Sequence, residues 1–314
     1  MLKPLMESKR DWEKEFEEYL EENRTLAYMM LQKAEKFADH YALTQKVKGE
    51  WESITWKDFG EQIKAIAKAL LEMDILEAGE MAGIFSANRA EWAIADLGIL
   101  TTRAVSVPIY ATNSAEEAEY IVNDAEIKII FVGDQDQYDR SKKIIKGNKY
   151  LKKIVAFDRD ITIEGDDSMY FDEMLEMGRK SSKGDKLESR LKDVNPDDTL
   201  TLIYTSGTTG APKGAIHTHR SFMTGIYPSY SRFPEAGPDT VSLAILPLSH
   251  VFERMWSYGC MSAGVRIAYC PDPKQFVEVM NDIKPHFLTS VPRIWEKVYG
   301  TIHDGLKTAS PTKR

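Results

Sequence analysis

The segment Tyr204-Thr205-Ser206-Gly207-Thr208-Thr209-Gly210-Ala211-Pro212-Lys213-Gly214 has the residue types of an anion cradle. Glycines at 207, 210 and 214 let successive backbone N–H groups converge on one point. Thr205, Ser206, Thr208 and Thr209 add hydroxyl donors, and Lys213 adds a mobile positive charge. Such a loop offsets the charge that builds as a phosphate group leaves. A flexible linker would need neither Lys213 between Pro212 and Gly214 nor the apolar strand pattern directly upstream. The segment is not a Walker A loop, which ends in Gly-Lys-Ser/Thr. The next residues, Ala215-Ile216-His217-Thr218, alternate like a strand, so no helix N-terminus is expected directly under the phosphates.

Other residues are weaker candidates. His250 follows an apolar run and reads, taken alone, as a packed histidine satisfied by one backbone bond. Glu253 and Arg254 come three and four residues later, and an ion pair within the helix is the simpler reading of both. His217 and His219 lie two apart, on one face of a strand, but no third metal ligand is nearby; solvated or capping roles are expected. Asn88 reads as the N-cap of a helix that follows a strand. Trp256, Tyr258 and Met261 recur at helical spacing, which is usually plain core.

The elements that must position these residues alternate along the chain. Apolar residues from Trp12 to Phe37 recur as in one long or two consecutive amphipathic helices, and strands are expected near 43–47 and 51–55. Thr55 and Asp58 resemble a capping box before Phe59, Ile63, Ile66 and Leu70. Strands at 81–85, 105–109 and 128–132 then alternate with helices at 88–101 and 114–125. The charged stretch 158–198 reads as a surface excursion with one short helix at 171–178. Beyond it come strands at 199–204, 241–246, 265–269 and 286–291, with helices at 221–227, 253–263, 273–283 and 292–306. This alternation indicates an α/β fold with largely parallel, helix-flanked sheets. Two portions are expected, 1–190 with the N-terminal helices and 191–314 with the phosphate loop.

Composition narrows the classes. The 314 residues carry 41 basic and 49 acidic side chains, a net charge of −8. With 43% hydrophobic residues the chain can bury a core. The acidic balance argues against nucleic acid and strongly anionic membranes as main partners. The cysteines, Cys260 and Cys270, make neither a disulfide framework nor a metal cluster, so a reducing, cytoplasmic setting is expected. No targeting segment or transmembrane run of about 20 apolar residues is visible.

The glycine-rich loop closely resembles the phosphate-binding signature of the adenylate-forming superfamily, which includes acyl-CoA synthetases, firefly luciferase and peptide-synthetase adenylation domains. Four further segments resemble its long-chain fatty acyl-CoA synthetases: Ser86-Ala87-Asn88-Arg89-Ala90-Glu91-Trp92, Val107-Pro108-Ile109-Tyr110-Ala111-Thr112, Leu246-Pro247-Leu248-Ser249-His250-Val251-Phe252-Glu253-Arg254 and Ser290-Val291-Pro292-Arg293. They stand in the family's order over most of the chain. The resemblance implies the large N-terminal domain of such an enzyme, incomplete on its C-terminal side. It implies attack of a carboxylate on the ATP α-phosphate, then displacement of AMP by the thiol of coenzyme A. The implied partners are a fatty acid, ATP and coenzyme A, and peripheral contact with a membrane is compatible with the first.

By the same resemblance, Thr205, Ser206, Gly207, Thr208, Thr209, Gly210 and Lys213 hold the β- and γ-phosphates. Thr205 lies near Mg²⁺, and Lys213 and His250 take part in catalysis, with His250 beside the acyl pocket. Trp256, Tyr258 and Met261 become candidates for an acyl tunnel. Family members also carry a Tyr-Gly-x-Thr-Glu motif, a ribose-binding Asp, a hinge and a small C-terminal domain with a catalytic Lys; none is found after residue 292. The expectation is an N-terminal part that is not active alone. An aryl, medium-chain or amino acid substrate remains open, as does a non-catalytic nucleotide-binding fragment.

Overall fold

The computed structural model describes residues 11–205, 212–233, 235–270 and 272–308. Two helices open the chain, α1 (Trp12–Asn23) and α2 (Leu26–Lys36), capped by Asp11 and Thr25. A hairpin of β1 (Tyr41–Val47) and β2 (Glu50–Thr55) leads into α3 (Trp56–Met73). At that junction the Thr55 hydroxyl accepts from the Asp58 amide at 3.1 Å and donates to its carboxylate at 2.7 Å, the expected cap.

Alternation follows: β3 (Met81–Phe85), α4 (Ala90–Thr101), β4 (Val105–Ile109), α5 (Ala115–Asp124), β5 (Ile129–Val132), α6 (Gln135–Ile145), β6 (Lys153–Ala156) and β7 (Ser168–Tyr170). The charged stretch holds α7 (Phe171–Lys180) and α8 (Gly184–Asp193), two helices where one was expected. Its helices are amphipathic but short: α7 buries Phe171, Met174 and Leu175, whereas α8 buries only Leu187. So few apolar residues leave a weak periodic signal. The chain continues through β8 (Thr199–Thr205), β9 (Lys213–Thr218), α9 (His219–Arg232), β10 (Val241–Ala244), α10 (Val251–Ser262), β11 (Arg266–Tyr269), α11 (Phe276–Ile283), β12 (Phe287–Leu288) and α12 (Pro292–Thr308).

These strands form two sheets. One has seven strands in the order β7-β6-β5-β3-β4-β8-β9, parallel except for antiparallel β9 at one edge. The other has five, β12-β10-β11-β1-β2, with only β2 antiparallel. Strands from both sides of residue 190 share each sheet: β8 and β9 complete the first, and β1 and β2 complete the second.

The largest hydrophobic cluster joins the inward faces of both sheets to α2, α3, α4 and α10, with Leu43, Ile84, Phe131 and Ile267 among its members. A second lies under α5 and α6 on the outer face of the seven-stranded sheet, and a third sets Val241, Leu243 and Ile245 against α11. Alternate residues of one strand thus serve different layers. Helix α4 is buried on every side, as its nearly continuous apolar sequence requires. Where α7 crosses α3, a Cβ at Gly178 would stand 1.8 Å from the Ala65 carbonyl oxygen, so only glycine fits.

Among the described residues, no helix is long and apolar enough to cross a membrane. Cys260 and Cys270 are free and buried, and burial pushes their thiols up to about 12 and about 11. Neither can supply a thiolate at neutral pH.

Candidate active site

Strands β8 and β9 form a hairpin whose last register pair is Thr205 opposite Lys213. Directly paired residues project from the same face of a sheet, so Thr205 and Lys213 share one face at the hairpin mouth. Both are exposed. Ser206, Gly207, Thr208, Thr209 and Gly210, which the resemblance nominated as phosphate ligands, lie outside the described residues. The glycine after Lys213 has a separate role. Gly214 faces Tyr204, and a Cβ there would meet its ring at 3.1 Å. Tyr204 is held in turn by a 2.6 Å bond from its hydroxyl to the Asp124 carboxylate.

His250 occupies the N-cap of α10, at the carboxyl end of β10 in the other sheet. It is exposed, and its Nδ1 accepts from the Phe252 amide at 3.1 Å, which places the neutral ring's proton on Nε2. The packed-histidine reading is therefore replaced by an exposed cap.

Asn88 is not the cap of α4. Arg89 holds that position, and Gln45 of β1 accepts from the Ala90 amide at 2.8 Å. Asn88 instead turns towards the stretch before His250. Its Nδ2 donates to the Leu246 carbonyl at 2.7 Å, and its Oδ1 accepts from the Leu248 amide at 2.8 Å.

Glu253 and Arg254 do not pair with each other. Arg254 is fully buried and donates through Nε and Nη2 to the Asp96 carboxylate of α4, at 3.0 and 2.5 Å. Its Nη1 donates to the Thr201 hydroxyl of β8 at 2.8 Å, and the Tyr258 hydroxyl also donates to Asp96. The guanidinium lies 5.5 Å from both the Trp92 and Phe222 ring centroids. Sequence reasoning missed Asp96. Its signal was a carboxylate in the middle of a nearly apolar helix, past the first turn where Glu91 sits, which must find a buried cation.

Glu253 is also fully buried, accepting from the Leu246 amide and from the Ser257 hydroxyl, each at 3.1 Å. Burial pushes its carboxyl up to about 8. The unfolded chain releases this proton near 4.5 while the folded state keeps it, so stability should fall as pH rises towards 8. Each pH unit in that window costs up to about 1.4 kcal/mol. His219 acts on the acid side: burial lowers it to about 4, so its contribution is lost only as pH falls below its usual range. In Glu253→Gln the amide can accept from Leu246 and donate to Ser257 without a charge. Urea unfolding at about pH 6.5 and 8 should show a loss for the parent chain and little for this variant. Equal losses would exclude Glu253 as the cause.

His217 and His219 do not share a strand face. His217 ends within β9, whereas His219 opens α9 and its Nδ1 accepts from the Leu26 amide at 3.4 Å. Among the described residues, no three His, Cys, Asp or Glu side chains converge as a metal site. Tyr258 and Met261 belong to the core, while Trp256 lines a small apolar recess with Phe233, Cys260 and Phe287 and donates to the Ser242 hydroxyl at 3.0 Å.

The family described as AMP-binding enzyme matches residues 30–313. The long-chain-fatty-acid–CoA ligase FadD15 of Mycobacterium bovis is 31% identical over 289 residues, covering 92% of this chain and 47% of the relative. The long-chain-fatty-acid–CoA ligase ACSBG2 of Xenopus laevis is 29% identical, covering 87% and 38%. The chain thus spans less than half the length of these relatives. Among solved structures, the A domain of a carboxylic acid reductase from Segniliparus rugosus, in complex with AMP and a carboxylic acid, superposes with a TM-score of 0.77. Identity is 19%, and the match covers 92% of this chain and 52% of the other. A red-emitting luciferase from Phrixothrix hirtus gives 0.75 at 19% identity, covering 86% and 51%. These likenesses establish the same fold.

Proposed function

From the premise that the chain belongs to the AMP-binding enzyme family, we propose that it carries the nucleotide-handling part of a ligase that activates a long-chain fatty acid. The acid attacks the α-phosphate of ATP, pyrophosphate leaves, and the thiol of coenzyme A then displaces AMP from the acyl-adenylate. The observation that carries this reading is the pairing of Thr205 with Lys213 at the hairpin mouth. In this reading the hydroxyl and the ammonium serve one phosphate chain.

Within this scheme Lys213 follows the β- and γ-phosphates as they depart. His250 offers its Nε2–H to the acyl carbonyl oxygen, where negative charge builds as the thiol sulfur attacks and before AMP leaves. The apolar recess beside Trp256, about 10 Å³, is too small for an alkyl chain and carries no part of this reading. Thr205 is a single neutral oxygen donor, which suits a Mg²⁺ ion carried in on ATP, since that ion keeps several waters and relies on substrate phosphates. When bound, the ion neutralises phosphate charge. Coenzyme A is a substrate, and no described residue is assigned to it. For the 314 residues alone we propose nucleotide binding without complete turnover, because the Tyr-Gly-x-Thr-Glu motif is not among them.

The test is acid-dependent exchange of pyrophosphate into ATP, measured on the protein of the complete reading frame. Palmitate should support faster exchange than benzoate, octanoate or leucine. A preference for one of the latter would replace the long-chain assignment, and ATP binding without exchange for any acid would leave a nucleotide-binding role.

A further inference from the structure

The connection from β10 to α10, residues 245–250, crosses the carboxyl end of the five-stranded sheet and ends at His250. Its backbone is held from the other sheet. Asn88, 7% exposed, lies just after β3 of the seven-stranded sheet. Its side chain bonds the carbonyl of Leu246 and the amide of Leu248, with a longer contact of 3.5 Å to the Ala244 carbonyl. A carboxamide that accepts from one residue and donates to the residue two before it acts as a neighbouring strand's peptide group would. From the other side, Glu253 accepts from the Leu246 amide. The His250 amide donates to the Pro247 carbonyl at 2.9 Å, and the His250 carbonyl accepts from the Arg254 amide at 3.2 Å. The stretch is therefore fastened at 246, 247, 248 and 250, and Asn88 supplies the two bonds that tie it to the opposite sheet.

We propose that Asn88 is a positioning residue for His250: it clamps the 245–250 connection across the two sheets and so fixes the imidazole with Nδ1 on the Phe252 amide and Nε2–H outward. This rests on the reading of His250 as part of the reaction site, but its geometric half stands without it. Asn88→Ala leaves the Leu246 carbonyl and the Leu248 amide without partners. Asn88→Asp keeps an acceptor for Leu248 and sets a carboxylate oxygen against the Leu246 carbonyl. Either change frees the connection, and with it the ring that caps α10.

The first measurement is ¹⁵N NMR of histidine-labelled 314-residue chain at alkaline pH, where the imidazoles are neutral. His250→Gln identifies the signal among the six histidines. The parent should show a single Nε2–H tautomer, and both Asn88 variants should show averaging of the two ring nitrogens. An unchanged His250 spectrum in folded variants would overturn the proposal. Should Asn88→Asp fail to fold, Asn88→Ser keeps one donor and one acceptor on a shorter arm and should give intermediate averaging. The second measurement is kinetic, on the protein that shows pyrophosphate exchange. Misplacing the ring should lower kcat by about 10- to 100-fold with KM for ATP unchanged. Altered tautomers with unaltered kcat would support the clamp and remove His250 from the chemistry. A parallel rise in KM for ATP would overturn the clamp's independence from the phosphate loop.

Discussion

Lys213→Ala should slow acyl-adenylate formation by about 10²- to 10³-fold, the effect of removing one donor aimed at developing charge. ATP binding should weaken less, because the loss falls mainly on the state in which pyrophosphate departs. The structure supplies the reason for the size of this effect. Lys213 is the first residue of β9, exposed and directly opposite Thr205, while Gly214 behind it is pinned beneath the Tyr204 ring. The ammonium therefore swings from a fixed base. An ammonium is a compact point charge with three donors, whereas a guanidinium is a rigid fork, so Lys213→Arg should restore only part of the rate. Pre-steady-state acyl-adenylate formation by the protein of the complete reading frame, with ATP affinity measured separately, decides the matter. Adenylation at the parent rate in Lys213→Ala would reduce the likeness to a ligase to one of fold.

The second large effect concerns stability. Asp96→Leu or Arg254→Met should each destabilise the fold by about 3–5 kcal/mol, because either leaves one charge buried without its partner. Both side chains are fully buried, and together they join α4, α10 and β8 through the Thr201 and Tyr258 hydroxyls. Replacing both, as Asp96→Leu with Arg254→Met, should cost much less than the sum of the single changes, since an apolar pair of similar volume needs no desolvation. Thr201→Val should cost only about 1–3 kcal/mol, the penalty of an unsatisfied buried donor. Urea unfolding followed by tryptophan fluorescence gives all four values. Additive losses would show that the guanidinium and the carboxylate do not act as a unit.

Much of this arrangement was legible in the residues. Strands β3 and β4 fall at the expected residues because short apolar runs bounded by turn residues have few alternative readings. The Thr55 cap was legible because the bond is local, spanning three residues. The same local logic misplaced Asn88. An asparagine before a helix reads as a cap, and only the tertiary structure shows that Gln45 caps α4 and that Asn88 serves residues far along the chain. Glu253 and Arg254 failed similarly: an ion pair within the helix was the simpler reading, but each is bound by a buried partner outside that pair. Helix α6 and strand β6 escaped notice because α6 is largely polar and β6 follows it within a lysine-rich stretch. At the site, Thr205 and Lys213 were nominated by type, and their cross-strand pairing is what the structure adds.

The interleaving of the sheets also governs the order in which the molecule can be made. Strand β1 pairs with β2 at once, but its other edge waits for β11, with Leu43 opposite Ile267. During synthesis most of the chain must emerge before that edge is covered. Until then the β1–β2 hairpin presents unpaired amides and carbonyls, a template for association with other chains. Closing so long a loop is slow compared with forming local βα units, so the seven-stranded sheet can assemble first, before the hairpin's open edge is covered. A ribosome-bound chain ending near residue 250 should therefore protect β3–β8 from proteolysis while β1–β2 remains cleavable, and protection should spread to the hairpin only once β11 has left the tunnel.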